Sequence, residues 1–376
     1  MIVLSGFLLA FVCLASSRSH RHQFRKQVCQ EGSTQFDQCG QRCKCIGGRL
    51  VQCVRIRKEF TTLSPIERTR HIKAIIKYTT DPKSRPEYED FINEHYTLFR
   101  TLIHQKQHFL PWHRYFVLRY ENLIRKVDCT FTVAWWDWSL DTREPFSTTN
   151  PEDVWHVLGY GGNGVGKDHC VQTGPFRQAV WSRVRPPSAG PGPHCLVRDF
   201  YGEPPEEVDV EEVLKNDSFH DFEETLRLVL HNGVHCNING TMCTLESASA
   251  PEFFLHHGFV DKIWDDWQKK SHKNKYAYFP SIKENMPGTK LKPSKLIDLS
   301  KQPGGIRVEY EPFQREENLI DKIKGESIAK LRKMRRRAFQ GLTKMAIELF
   351  QLTKAEVKRV REIEKWLDPH VIEPKD

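Results

Sequence analysis

"HQKQHFLPWHRYF" occupies His104–Phe116 and sets three histidines, His104, His108 and His113, within ten residues, beside aromatics and a proline. Imidazole is the commonest side-chain metal ligand, yet a single histidine among aromatics usually packs in a core. Pro111 biases Leu110 away from helix. The stretch therefore reads as the end of one helix, a turn, and a helix that begins near Pro111.

Upstream, apolar periodicity predicts a helix over roughly Glu87–Ile103, with a stripe of Tyr88, Phe91 or Ile92, His95, Phe99 and Leu102. His95 thus faces the core. His104 lies nine residues further on. On an unbroken helix that is about two and a half turns, the opposite face. It joins His95 only if the helix ends first and the chain turns back. His113 then adds a third nitrogen from a helix whose inner face is His113, Phe116, Tyr120 and Ile124. His108 falls in the turn, as a spare or a supporting group.

A second set lies downstream. "DSFHDFEETLRLVLHNGVH" (Asp217–His235) reads as a helix, with His231 and His235 one turn apart on one face. Asn232 follows His231, so the general base of a zinc protease motif is missing. The helix "APEFFLHHGFVDKIWDDWQKK" (Ala250–Lys270) carries His256 and His257. His257 shares a face with Val260, Asp261 and Trp264, and His256 with Phe259, Val260 and Ile263. One of the two completes a three-histidine site. Neutral imidazoles without carboxylate or thiolate suit copper, zinc or iron. Two neighbouring three-nitrogen sites can hold dioxygen between two cuprous ions.

The remainder frames this core. With 39% hydrophobic residues over 376, the chain supports one large domain plus a small module. Residues 1–17 read as a secretory signal, although no Lys or Arg precedes the apolar run, and the run is too short for a membrane span. Cys13 leaves with it, and ten cysteines remain, an even number that predicts disulfides in an exported chain. Five of them crowd residues 24–57, so one pairs with the main domain. The sequons at Asn216 and Asn239 fit export. Ser64, Pro65 and Glu67 form a capping box that opens the main domain. Residues 145–215, with "GYGGNGVG" and "RPPSAGPGPH", predict a long irregular excursion pinned by Cys170 and Cys195. Helices are expected near Glu316–Phe339 and Thr353–Leu367, the second capped by Thr353 and Glu356. The net charge of +9 draws partly on "KLRKMRRRAF" (Lys330–Phe339), which reads as a solvated helix face. Such a tail can cover the histidine site in a latent form, dock onto an acidic matrix or join a second copy of the chain; no nucleic-acid motif or transmembrane segment is read.

Four segments together resemble the tyrosinase and molluscan-hemocyanin family of type 3 copper proteins: "HFLPWHRYFVLRYE" (His108–Glu121), "WWDW" (Trp135–Trp138), "HNGVHCNINGTM" (His231–Met242) and "FFLHHGFVDKIWDDWQ" (Phe253–Gln268). The flavour is that of secreted invertebrate tyrosinases. The resemblance implies a mainly α fold: a four-helix-bundle dicopper core with long irregular loops. A small N-terminal disulfide-rich module and a helical C-terminal tail flank it. The expected division is a signal at 1–17, a cysteine-rich module at 24–57, the dicopper domain at 60–300 and a basic helical extension at 301–376. It implies that His95, His104 and His113 bind one copper and that His231, His235 and His257 bind the other, with dioxygen as co-substrate. The activity implied is oxidation of phenols and o-diphenols to o-quinones, for melanin or for tanning of tyrosyl and dopa residues in secreted proteins. An oxygen carrier and a metal-swapped or non-catalytic matrix relative are the alternatives.

Three departures from the family pattern stand out. Ala250-Pro251 replaces Asp-Pro before the His-His pair, with Glu252 in place of an apolar residue. In "FEETLR" (Phe222–Arg227), Arg227 takes the place of a Glu to which the family ascribes a role in deprotonating monophenols. Asn232, the partner of that Glu, is kept; Glu223 or Glu224 is the substitute on offer. A cation cannot accept a phenolic proton, so diphenol oxidation is expected ahead of monophenol hydroxylation. Leu102 stands where some relatives crosslink a cysteine to a copper ligand, so no such thioether forms.

Overall fold

The computed structural model describes residues 29–105, 107–140, 144–312 and 338–374. The expected signal at 1–17, residues 24–28 and nearly all of the helix expected over Glu316–Phe339 lie outside them.

The described residues start with a small antiparallel sheet of β1 (Thr34–Phe36), β2 (Arg42–Ile46) and β3 (Arg49–Arg57). Disulfides Cys29–Cys45 and Cys43–Cys53 staple it, and Cys39–Cys129 ties it to the helical body, as the odd cysteine count requires. Helix α1 (Pro65–Thr80) begins at the predicted cap: Ser64 accepts from the Glu67 backbone, and the Glu67 side chain bonds back to the Ser64 amide.

Helix α2 (Arg85–Leu98) ends five residues earlier than the periodicity suggests. The expected stripe therefore fails at its last member: Leu102 is 36% exposed, whereas Ile103 is fully buried. A 3-10 turn over Leu102–His104 brings the chain back. Helix α3 (Phe109–Ile124) starts before Pro111, and Leu110 is helical despite preceding a proline. Pro111 sits in the first turn, where the amide it lacks would have no helical partner.

Residues 144–206 form the irregular excursion, closed by Cys170–Cys195 and by a two-residue pairing of β4 (Gly164–Val165) with β5 (Cys170–Val171). The excursion was expected to run to 215, but Glu207–Leu214 is helix α4. Arg198 is buried beneath it. It bonds the carbonyls of Gly161 and Gly162 at 2.6 and 2.8 Å and pairs with Glu252. Glu252 opens α7 (Glu252–Lys269), so this ion pair anchors the helix start where the family's Asp is missing.

The histidine-bearing rod before α7 is not one regular helix. It runs as α5 (Phe219–Thr225), a π-helical segment Leu226–His231, and α6 (Asn232–Ile238), closed by Cys236–Cys243. After α7 come the short α8 (His272–Lys275), irregular chain, and β6 (Val308–Tyr310), which pairs in parallel with β3. That strand lies in a segment read as helical, a non-local pairing of three residues that leaves no periodic trace. Two helices close the described chain: α9 (Lys344–Leu349), not anticipated, and α10 (Lys354–Leu367), capped by Thr353 and Glu356 as read.

The fold is mainly α, with α2, α3, the α5–α6 rod and α7 around one aromatic core. Tyr120 stacks on Phe254 at 3.5 Å and Phe91 on Phe116 at 4.2 Å, joining α2, α3 and α7. A buried charge network also holds these helices. Asp261 of α7 takes Arg114 of α3 at 2.5 Å and the Tyr310 hydroxyl at 2.6 Å; Arg57 of β3 reaches Asp261, Tyr310 and Glu121 at 3.4, 2.9 and 3.0 Å. All five side chains are nearly or fully buried, where unpaired charge is costly and paired charge is orienting. Among the described residues no helix is long and apolar enough to cross a membrane.

Candidate metal centre

The back-turn after α2 decides the first histidine group. His95 projects from α2, His104 from the 3-10 turn and His113 from the first turns of α3. Their ring centroids lie 5.1–5.7 Å apart, and one nitrogen of each falls within 4.8 Å of the others. Phe99, the last aromatic before the turn, takes the His104 Nδ1 proton on its carbonyl at 2.9 Å. His113 Nδ1 donates to the Phe109 carbonyl at 2.8 Å. Both bonds fix the tautomer that leaves the Nε2 lone pair inward.

The second group is built alike. His231 Nδ1 bonds Asn232 Oδ1 at 2.9 Å, and His235 Nδ1 bonds the Met242 carbonyl at 2.8 Å in the loop that Cys236–Cys243 closes. Their Nε2 atoms lie 3.3 and 3.2 Å from His257 Nε2. His256 is fully buried in the same cluster, and one of its ring nitrogens lies within 4.8 Å of those of His231, His235 and His257, but neither makes a hydrogen bond. The two groups face each other. His113 stacks on His257 at 4.4 Å and 10°, and His104 lies 6.3 Å from His231. His108 stands apart, buried beside Glu284 at 3.7 Å.

Burial decides the protonation state. It pulls His104 down to about 3 and His235 to about 4, and holds His95, His113, His231 and His257 well below the usual imidazole range. The rings are therefore neutral. With the Nδ1 protons of His231 and His235 committed, their lone pairs are aimed at one point, alongside His257. In the first group both His95 nitrogens and His113 Nε2 have no hydrogen-bond partner. Buried lone pairs that converge without donors fit a soft-to-borderline cation, and two neutral triplets fit a metal pair.

The other expected site residues are arranged differently. Glu223 is buried and accepts from Arg227 Nε at 2.7 Å. Burial pushes its carboxyl up, against the pull of Arg227. Glu224 pairs with Arg359 of α10 at 3.1 Å. Both candidate substitutes for the missing Glu are thus engaged by arginines, and Asn232 holds His231 rather than either of them. The single helix assumed in weighing them contains the π segment, which shifts the side-chain phase between Phe222 and His231.

Sequence reasoning missed two residues here. Phe253 packs between the groups, 4.1 Å from His257 and 5.0 Å from His95. It lies in a quoted stretch, one turn before His257, and helical spacing would have found it. Phe350, between α9 and α10, places its ring 5.8 Å from both His104 and His231 and 6.1 Å from His235. No local signal in "ELFQLT" points to a histidine site more than a hundred residues away.

A helical bundle that carries two facing, neutral, all-histidine triplets defines a dinuclear metal protein whose ligands suit copper, zinc or iron. The model of the common central domain of tyrosinase matches residues 85–270. The chain is 31% identical over 252 residues to a tyrosinase of Streptomyces lincolnensis, covering 60% of this chain and 86% of that one. It is 30% identical to the tyrosinase of Streptomyces glaucescens over 239 residues, 57% of this chain and 83% of the relative. A polyphenol oxidase from Thermothelomyces thermophila shares the fold at a TM-score of 0.55 and 20% identity, over 69% of this chain and 89% of the other. The chain belongs to the tyrosinase family, and is a copper oxidoreductase of that type with a dinuclear copper centre and dioxygen as co-substrate.

Proposed function

We propose that the protein is an exported phenoloxidase that oxidises o-diphenols to o-quinones, with monophenol hydroxylation slower, and that its C-terminal segment keeps it latent. The observation that carries this is the pair of facing histidine triplets. His95, His104 and His113 would hold one copper; His231, His235 and His257 would hold the other. The copper pair supplies the two-electron chemistry with dioxygen. The chain's own share is placement: carbonyls of Phe99, Phe109 and Met242 orient three imidazoles, and Asn232 a fourth. Burial keeps water from the ring nitrogens.

Arg227 supports the diphenol preference. It occupies the place of the family's Glu and is already paired with Glu223, so neither is a free base for a phenolic proton. Phe350 supports latency, because an aromatic ring beside His104, His231 and His235 stands where a phenol ring would have to approach. Five disulfides among the described residues suit an oxidising, extracellular setting. Pigment formation and tanning of tyrosyl or dopa residues in secreted proteins are the roles such an activity serves, and an acidic matrix or a second copy suits the basic tail. Oxygen uptake by the copper-loaded chain with 4-methylcatechol and with tyrosine tests the reading. Turnover of the catechol at ten or more times the rate for tyrosine is expected; reversible oxygen binding with no quinone from Phe350→Ala would make it a carrier.

A further inference from the structure

We propose that Asn216 carries an N-linked glycan whose first sugar lies in a groove against Trp366 and fastens α10 to the α4–α5 turn, a proposal that rests on the export read above. Two Asn-X-Ser/Thr acceptor sequences occur, at Asn216 and Asn239, and the structure separates them. Asn216 is half-buried in the turn between α4 and α5, and Asp217 and Ser218 are exposed. Its main chain is pinned to the helical body, because the Asn216 carbonyl accepts from Trp267 Nε1 of α7 at 2.7 Å. Among the described residues its Nδ2 makes one hydrogen bond, to the Val213 carbonyl at 3.0 Å. One of its two protons can thus be replaced by a sugar while the other stays bonded. Asn239 is placed differently, with a left-handed φ of 59° in the loop that Cys236–Cys243 closes. Thr241 of its sequon is buried and accepts from the Val197 amide at 3.1 Å, and a Cβ on Gly240 would meet the Val197 carbonyl oxygen at 2.4 Å. Such close packing disfavours a bulky substituent, and Asn239 is left bare.

The acceptor opens onto a groove of about 300 Å³ between α5 and α10, lined by Asn216, Asp221, Arg359, Glu362, Ile363 and Trp366. That volume is at the small end of ligand clefts and suits one sugar ring, with the rest of the glycan in solvent. Trp366 is 55% exposed, although Ile363 and Leu367 beside it on α10 are buried, so its indole serves the groove rather than the packing face. An indole face takes the C–H face of a pyranose, and the Asp221, Glu362 and Arg359 side chains offer hydrogen-bond partners to its hydroxyl and acetamido groups. The modification joins Nδ2 to C1 of an N-acetylglucosamine delivered as a lipid-diphosphate oligosaccharide during export. The N–C1 bond forms, the C1–O bond to diphosphate breaks, the amide loses a proton, and the lipid diphosphate leaves. Without the sugar, Arg359 and Glu224 link α5 and α10 at 3.1 Å through a partly exposed ion pair, a weak tie by itself. A sugar tethered at the groove edge meets Trp366 at high effective concentration and adds a second tie.

The test expresses the full chain, with its own first residues, in a eukaryotic secretory host and maps glycopeptides of the secreted protein by mass spectrometry. A glycan on Asn216 and none on Asn239 is expected. Docking is read by amide hydrogen exchange of Lys354–Leu367, which should quicken about tenfold in Trp366→Ala and in Asn216→Gln alike, and no further in the double variant. Enzymatic removal of the glycan should do the same without any substitution, and Trp366→Tyr, which keeps an aromatic face, should behave as the unaltered chain. A glycan that only solubilises the surface would leave the exchange of this helix unmoved. A secreted chain with Asn216 bare, a glycan on Asn239 alone, or unchanged exchange after the sugar is removed would overturn the proposal. A chain found by cell fractionation to stay in the cytosol would sink the export reading, and the glycan with it.

Discussion

The ring of Phe350 lies 5.8 Å from that of His231, so a residue of the C-terminal segment touches the second histidine group directly. The same ring is 5.8 Å from His104 of the first group. Phe350→Ala should raise catechol oxidation by the full chain at least about tenfold, since only the uncovered fraction of molecules can bind substrate. Oxygen uptake measures this. Cleavage within 313–337 should act likewise, whereas removal of everything after residue 300 would also delete Tyr310 and its bond to Asp261. Equal rates with and without Phe350 would remove the tail from control of the site.

His257 and His256 are adjacent but make different approaches, because only His257 places Nε2 within 3.3 Å of both His231 and His235. His257→Ala should lower bound copper from two ions per chain to about one, while His256→Ala should retain two. Metal analysis after dialysis reads the difference. Copper should also raise the melting temperature of the native chain in a concentration-dependent way, and less so in His257→Ala.

Asp261 sits four residues after His257 and carries three partners from three other elements, Arg114, Tyr310 and Arg57. Arg57→Met should destabilise the metal-free protein by about 3 kcal/mol, because it takes the more buried of two arginines from Glu121 and weakens the hold on Asp261. Arg55, which meets Glu121 from a less buried position, should cost about 1 kcal/mol when changed to Met. Denaturant unfolding distinguishes them; equal effects would mean that the small sheet does not brace the copper-bearing helices.

Glu59 is buried at the junction of β3 and the Trp135–Asp137 segment, and burial raises its carboxyl to about 7, from 4.5. The folded state therefore keeps a proton that the unfolded state has already released. The sign follows: this contribution is complete below about pH 4.5 and is lost as the pH rises through 7, at most about 3 kcal/mol. Glu59→Gln should flatten that part of the stability profile, as followed by urea unfolding between pH 5 and 8 (a range of about three units that brackets the folded value).

Local chemistry was legible wherever a few neighbouring residues suffice. Ser64 with Glu67 and Thr353 with Glu356 announce helix starts that the structure reproduces. The odd cysteine of the crowded stretch foretold a cross-link such as Cys39–Cys129. The spacing of His231 and His235, and the proline after His108, pointed to histidines on facing helices, and the structure brings those rings together.

Features set by distant partners were not legible. Ile103 replaces Leu102 in the core because α2 stops at Leu98, and the length of a helix depends on what its end meets. The π segment before His231 breaks a pattern that reads as regular and shifts the phase of Glu223 and Glu224 relative to His231. β6 exists only because β3, some 250 residues earlier, offers an edge. Residue types and short spacings determined which side chains could act. Which of them meet, and that Phe350 stands over them, was decided by packing between segments remote in the chain, for which no local pattern of hydrophobicity or charge carries a signal.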